Sequence, residues 1–90
     1  MPELFYTEAF ERKYKKLLKL HPDLKKRILE KLRLLKKDPY TVSLRFHKLG
    51  GNLDDLYSIT ITQDLRIIID AHFNKDAFYL LDFGTHDDVY

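Results

Sequence analysis

The residues of this chain best suited to chemistry near neutral pH are its four histidines, an arginine set in an alternating apolar run, and a terminal tyrosine. The histidines are His21, His47, His72 and His86. None stands at the i, i+4 spacing of a helical metal pair, so no metal is expected. Cysteine is absent, which removes disulfides, thiolate catalysis and cysteine-based zinc sites together. Ser43 and Ser58 lie in no Gly-x-Ser-x-Gly elbow. Gly50-Gly51-Asn52 lacks the Lys-Ser/Thr pair and the following helix of a phosphate-cradling loop. Asp87 and Asp88 adjoin His86, but neighbours on an extended tail tend to point apart. One arrangement is left. Arg45 and His47 precede an apolar run, Arg66 lies within it, and His86 and Tyr90 follow it. Histidines that titrate near neutrality and a permanently charged guanidinium are suitable parts for phosphodiester chemistry. The competing reading pairs Arg66 with Asp70 or Asp82 on a solvated face.

The elements that must position these groups follow from periodicity. Tyr57, Ile59 and Ile61 alternate with Ser58, Thr60 and Thr62, the period of a strand with one buried face. Thr62-Gln63-Asp64 turns the chain. Leu65, Ile67, Ile69 and Ala71 then alternate with Arg66, Ile68, Asp70 and His72. Asn74-Lys75-Asp76 turns it again before a third run from Ala77 to Phe83. Connections this short join only antiparallel neighbours, so a β-meander is expected. Arg66 then faces away from Leu65, Ile67 and Ile69. If those three pack on a cover, Arg66 stands on the open face.

The upstream half supplies the cover. Glu3 to Tyr6 reads as an edge strand or a strand that joins the meander. Thr7 is a fair N-cap, with Glu8 and Glu11 in the first turn of a helix. Phe10, Tyr14, Leu17, Leu18 and His21 form one helical stripe. His21-Pro22-Asp23 interrupts it, since proline suits the start of a new helix rather than an interior. Leu24, Ile28, Leu32 and Leu35, widened by Leu29 and Leu34, form a second stripe that ends near Asp38-Pro39. So short a link implies an antiparallel helical hairpin. Leu44 to Leu49 alternates apolar and polar residues, suggesting a brief extended piece that groups Arg45, His47 and Lys48. The expected fold class is α+β, an N-terminal helical hairpin on a small twisted antiparallel sheet, in one domain over residues 1–90.

Composition bounds the function. The apolar and charged fractions, 44% and 33%, are those of a globular protein. Twelve Lys/Arg against five Asp/Glu fall in residues 1–37, and four against nine in residues 38–90, behind a net charge of +2. A basic first half is a plausible footprint for nucleic acid, or simply the solvated outer face of two helices. No run has the length of a membrane span, and the first residues lack a signal-peptide pattern, so a cytoplasmic protein is expected.

The order strand, helix, helix, strands resembles the RelE/ParE superfamily of toxins from toxin–antitoxin pairs. The resemblance rests on Phe46-His47-Lys48-Leu49-Gly50-Gly51-Asn52-Leu53, on the strand from Tyr57 to Ile61, on Asp64-Leu65-Arg66-Ile67-Ile68-Ile69, and on the tail from Gly84-Thr85-His86 to Tyr90. The His47-x-Leu49-x-Gly51 element and the tail are most similar to the YafQ-like branch. Tyr57, Arg66 and Val89-Tyr90 are similar to RelE.

The resemblance implies a ribosome-dependent endoribonuclease that cuts mRNA without a metal or cofactor and is neutralised by a cognate antitoxin protein. The ribose 2′-hydroxyl attacks the adjacent phosphate, giving a 2′,3′-cyclic phosphate and a 5′-hydroxyl. His47 and His86 resemble general acid/base histidines, Asp64 an acidic site residue, Arg66 a phosphate-stabilising arginine and Tyr90 a C-terminal aromatic. Arg45 and Lys48 are implied contacts to the RNA backbone. The pattern departs from the family at Ser58 and Thr60, where YafQ-like toxins carry an aspartate and a histidine, and the lysines that RelE has nearby are missing. A ParE-like toxin that poisons DNA gyrase without catalysis, or an inactive relative, is the alternative.

Overall fold

A computed structural model of the chain describes residues 2–50 and 56–85. The turn or loop expected over Gly50-Gly51-Asn52 falls outside the described residues from position 51 on, as do His86 and Tyr90. Five strands form one sheet in the order β1-β5-β4-β3-β2: β1 is Glu3–Tyr6, β2 His47–Lys48, β3 Leu56–Thr60, β4 Leu65–His72 and β5 Ala77–Thr85. Two helices, α1 over Glu8–Leu20 and α2 over Leu24–Lys37, separate β1 from the rest. The class is α+β, with β2 to β5 antiparallel as the short connections require.

One strand corrects the all-antiparallel expectation. β1 runs parallel to β5, pairing Glu3 with Ala77 through Tyr6 with Leu80. Short loops force antiparallel pairing only between consecutive strands. β1 meets the last strand of the chain, and the helical hairpin between them leaves its direction unconstrained.

The hairpin begins where the sequence says it should. The Thr7 hydroxyl oxygen accepts the Phe10 N–H at 3.1 Å, capping α1, and its O–H donates to the Leu80 carbonyl at 3.1 Å. One side chain thus ends the helix and ties it to β5. Thr7→Ala is expected to lower stability by about 1–2 kcal/mol, read as a shifted urea midpoint with unchanged slope. At the other end of α1 the His21 N–H bonds the Leu17 carbonyl, and the His21 side chain is exposed.

Phe10, Ile28, Leu32 and Leu35 from the helices meet Ile59, Ile67, Ile69, Phe78, Leu80 and Phe83 from the sheet. Leu29 does not join them. It is 49% exposed and instead lines an apolar groove of about 220 Å³ with Tyr6, Phe10, Glu11, Tyr14 and Leu32. Burial, aided by the nearby Tyr6 phenol, raises the Tyr14 pKa above the ordinary tyrosine value, so that ring is neutral over the physiological range.

A β-bulge completes the core. Ile68 pairs with Asp82 and Ile69 with Leu80, which leaves Leu81 as the extra residue of β5. Strict alternation from Phe78 and Leu80 would aim Asp82 inward. The bulge turns Phe83 in, to 8% exposure, and frees the Asp82 carboxylate to meet Lys13 of α1 at 2.6 Å.

Candidate active site

The helices cover one face of the sheet, and register fixes what stands on the other. Residues directly opposite in paired strands share a face. Thr60 of β3 is opposite Arg66 of β4, which is opposite Gly84 of β5. In the next row His47 of β2 is opposite Ser58, and Ser58 is opposite Ile68. Arg66 and His47 therefore both rise from the face away from Ile59, Ile67 and Ile69. Two strand spacings and two residues of rise separate them, roughly 12 Å between backbones. Side chains of their length can converge over that gap.

Arg66 is half-buried. Its Nη1 donates to the Thr60 hydroxyl oxygen at 2.7 Å, and its Nε is shielded from solvent. Gly84 on the other flank is buried and has no side chain to fill the row beside the guanidinium. Asp70 and Asp82, the carboxylates weighed as partners for Arg66, meet other side chains. Asp70 is 3.0 Å from His72 Nε2, and Asp82 pairs with Lys13.

His47 is held from both sides. Phe46 stacks on Tyr57 at 4.7 Å and on Phe78 at 5.7 Å between ring centroids, while buried Leu49 donates its N–H to the Leu56 carbonyl. Arg45 ends a short 3₁₀ turn over Val42–Leu44 in the left-handed region, at φ 49°. Its carbonyl oxygen lies 2.8 Å from His47 Nδ1. A carbonyl can only accept, so Nδ1 carries the proton and, in the neutral ring, Nε2 holds the lone pair. That is the tautomer of a general base acting through Nε2.

The other sequence candidates are placed as follows. Asp64 is exposed in the β3–β4 turn, its N–H directed at the Thr62 hydroxyl at 3.3 Å. The Arg45 side chain is exposed. Lys48 is exposed but opposite Tyr57, so it rises from the face away from His47, and the expected grouping of the two is lost to strand alternation. His72 sits at the far end of β4, edge-on to Tyr79. Among the described residues no three His, Asp or Glu side chains gather in a way that could hold a metal ion.

Two residues of this face entered the sequence reading only as departures from the family pattern. Thr60 is one, although the hairpin turn at 62–64 already implied its place opposite Arg66. Ser58 is the other. It is 0% exposed, and its hydroxyl has no hydrogen-bond partner among the described residues. A buried orphan hydroxyl is destabilising, so Ser58→Ala is expected to raise stability by about 1 kcal/mol, seen as a higher melting temperature.

No protein-family model and no curated protein sequence matches this chain. Solved structures do resemble it. The metal-bound toxin from Helicobacter pylori superposes with a TM-score of 0.81 at 22% identity, over 100% of both chains. YafQ from E. coli strain BL21(DE3) gives 0.79 at 16% identity, over 100% of this chain and 99% of its own. The YoeB/ParE toxin from Agrobacterium tumefaciens gives 0.77 at 17%, over 96% and 99%. The fold is that of the RelE-like toxins. In this RelE-like frame the helical hairpin packs on one face of the sheet, and Arg66 and His47 rise from the other. No helix among the described residues is long and apolar enough to cross a membrane.

Proposed function

We propose that this chain is the toxin of a toxin–antitoxin pair and acts as a metal-independent endoribonuclease on ribosome-bound mRNA. The observation that supports the reading is the sheet face away from the helices. It carries an anchored guanidinium and a histidine whose tautomer is set by a backbone carbonyl.

His47 Nε2 accepts the proton of the ribose 2′-hydroxyl. The 2′-oxygen attacks the adjacent phosphorus and the P–O5′ bond breaks, leaving a 2′,3′-cyclic phosphate. A proton delivered to the departing 5′-oxygen gives the 5′-hydroxyl. His86 and Tyr90 are the proposed source of that proton and of a ring for the neighbouring base. Arg66 offsets the charge that builds on the non-bridging oxygens, where a fixed donor acts without reorganising. Asp64, at the mouth of the hairpin, is proposed to orient a histidine or the ribose. Arg45 and Lys48 are proposed to contact flanking phosphates, Lys48 from around the edge of β2. The lysines on the outer faces of α1 and α2 are proposed to meet ribosomal RNA, which makes the association salt-dependent.

YafQ has been solved in a toxin–antitoxin complex with DinJ, and a protein partner that neutralises this chain is proposed on the same lines. The testing experiment is in vitro translation with primer extension and analysis of the 3′ ends. Cuts within A-site codons that leave cyclic phosphates support the reading. Intact message together with inhibited DNA supercoiling would place the chain with gyrase poisons instead.

A further inference from the structure

From the row Thr60–Arg66–Gly84 we infer that Thr60 is a positioning residue, whose hydroxyl fixes the Arg66 guanidinium in the orientation that receives a phosphate. The inference rests on the nuclease reading for its catalytic consequence, but the contact itself does not.

A free arginine side chain samples many rotamers, and an exposed guanidinium meets phosphate in several poses. Arg66 is restricted by three features. Its Nε is shielded from solvent, its Nη1 donates to Thr60 at 2.7 Å, and the two residues lie directly opposite each other in the β3–β4 ladder. A hydrogen bond from a charged donor is short and strong, so it holds the plane of the group as well as its position. The Thr60 oxygen accepts through a lone pair, which leaves its own O–H to donate elsewhere. Threonine also suits the position in the backbone sense. Its β-branch favours strand geometry and restricts χ1, so the acceptor oxygen is itself confined. Thr60 is thus a fixed stop against which the guanidinium rests, and Gly84, opposite Arg66 on the other flank, adds no side chain to the row.

Thr60→Val keeps the shape and the β-branch and removes the acceptor. Thr60→Ser restores it. If Thr60 acts through Arg66, Thr60→Val lowers kcat by about 10- to 100-fold, the scale expected of a misplaced catalytic group, with KM changed less than about threefold. Thr60→Ser recovers most of the rate, and Thr60→Val adds no further loss in an Arg66→Ala background. The readout independent of catalysis is ¹⁵N NMR of the Arg66 guanidinium. Rotation about Nε–Cζ is expected to be slower in the wild type and in Thr60→Ser than in Thr60→Val. Wild-type cleavage by Thr60→Val, or equal guanidinium rotation in Val and Thr forms, overturns the inference. An inactive wild type whose rotation still depends on the hydroxyl sinks the nuclease reading and leaves the positioning role standing.

Discussion

Arg66→Ala is expected to slow single-turnover RNA cleavage by about 10²- to 10³-fold, the usual effect of removing one preorganised donor to a developing oxyanion. Arg66 lies on the face away from the core, yet its Nε is shielded and its Nη1 is bound to Thr60. A partly desolvated, immobile cation stabilises a phosphorane more than a solvated one does, because less water competes and nothing has to move. Arg66→Lys is expected to recover little. An ammonium is a point donor on a flexible stem, and it cannot bond Thr60 while presenting a planar fork to phosphate. The substitution should leave the fold intact. The hydrogen bond to the half-buried Thr60 hydroxyl is worth on the order of 1 kcal/mol, or a melting shift of about 4–8 °C. Rate and melting temperature measured on the same sample separate the two effects. A variant that cleaves at the wild-type rate would remove Arg66 from the chemistry.

Much of the layout of this face is legible in the sequence, and the limits have physical causes. Arg66 could be assigned to the open face because Leu65, Ile67 and Ile69 are apolar and side-chain direction alternates. The pairing of Thr60 with Arg66 was equally implicit, since a tight turn fixes register. His47 was recognisable as a residue type but not as a placed group. The link from β2 to β3 is too glycine-rich to count through, and the lock on its ring comes from the Arg45 carbonyl. That carbonyl reaches Nδ1 only because Arg45 takes up a left-handed conformation that no side-chain pattern announces. The grouping of Lys48 with His47 failed for the reason that made Arg66 readable: adjacent residues of a strand point to opposite faces. Leu29 was assigned to a stripe by spacing, but a helix packed at one angle buries only part of a wide stripe. The bulge in β5 left a trace that was readable in principle. Phe78 and Leu80 share a parity that Phe83 breaks, and only an extra residue lets all three face the core while Asp82 stays out. The parallel direction of β1 left no such trace.

Phe10→Ala carries the largest expected effect on stability, a loss of about 3–5 kcal/mol. Phe10 is 2% exposed and ties α1 to the sheet through a stack on Phe83 at 4.6 Å, with Tyr14 and Tyr6 rings beside it at 6.2 and 5.8 Å. In a chain of this size total stability is expected at about 5–15 kcal/mol, so the change removes roughly a fifth or more of it. The melting temperature should fall by roughly 15–30 °C. The groove that Phe10 lines with Tyr6 and Leu29 decides where in that range the value falls. Removing the ring enlarges an open groove rather than sealing a void, so water or the neighbouring tyrosines can fill part of the space, and the lower end is expected. Leu29→Ala is the control, since a side chain already half in water should cost no more than about 1 kcal/mol. The open face predicts the functional counterpart. Phe10 touches neither Arg66 nor His47, so the folded fraction of Phe10→Ala should cleave RNA at the wild-type single-turnover rate well below its melting point. A slow folded fraction would mean that the hairpin and the open face are coupled through β5, where Phe83 and Gly84 adjoin and Gly84 flanks Arg66.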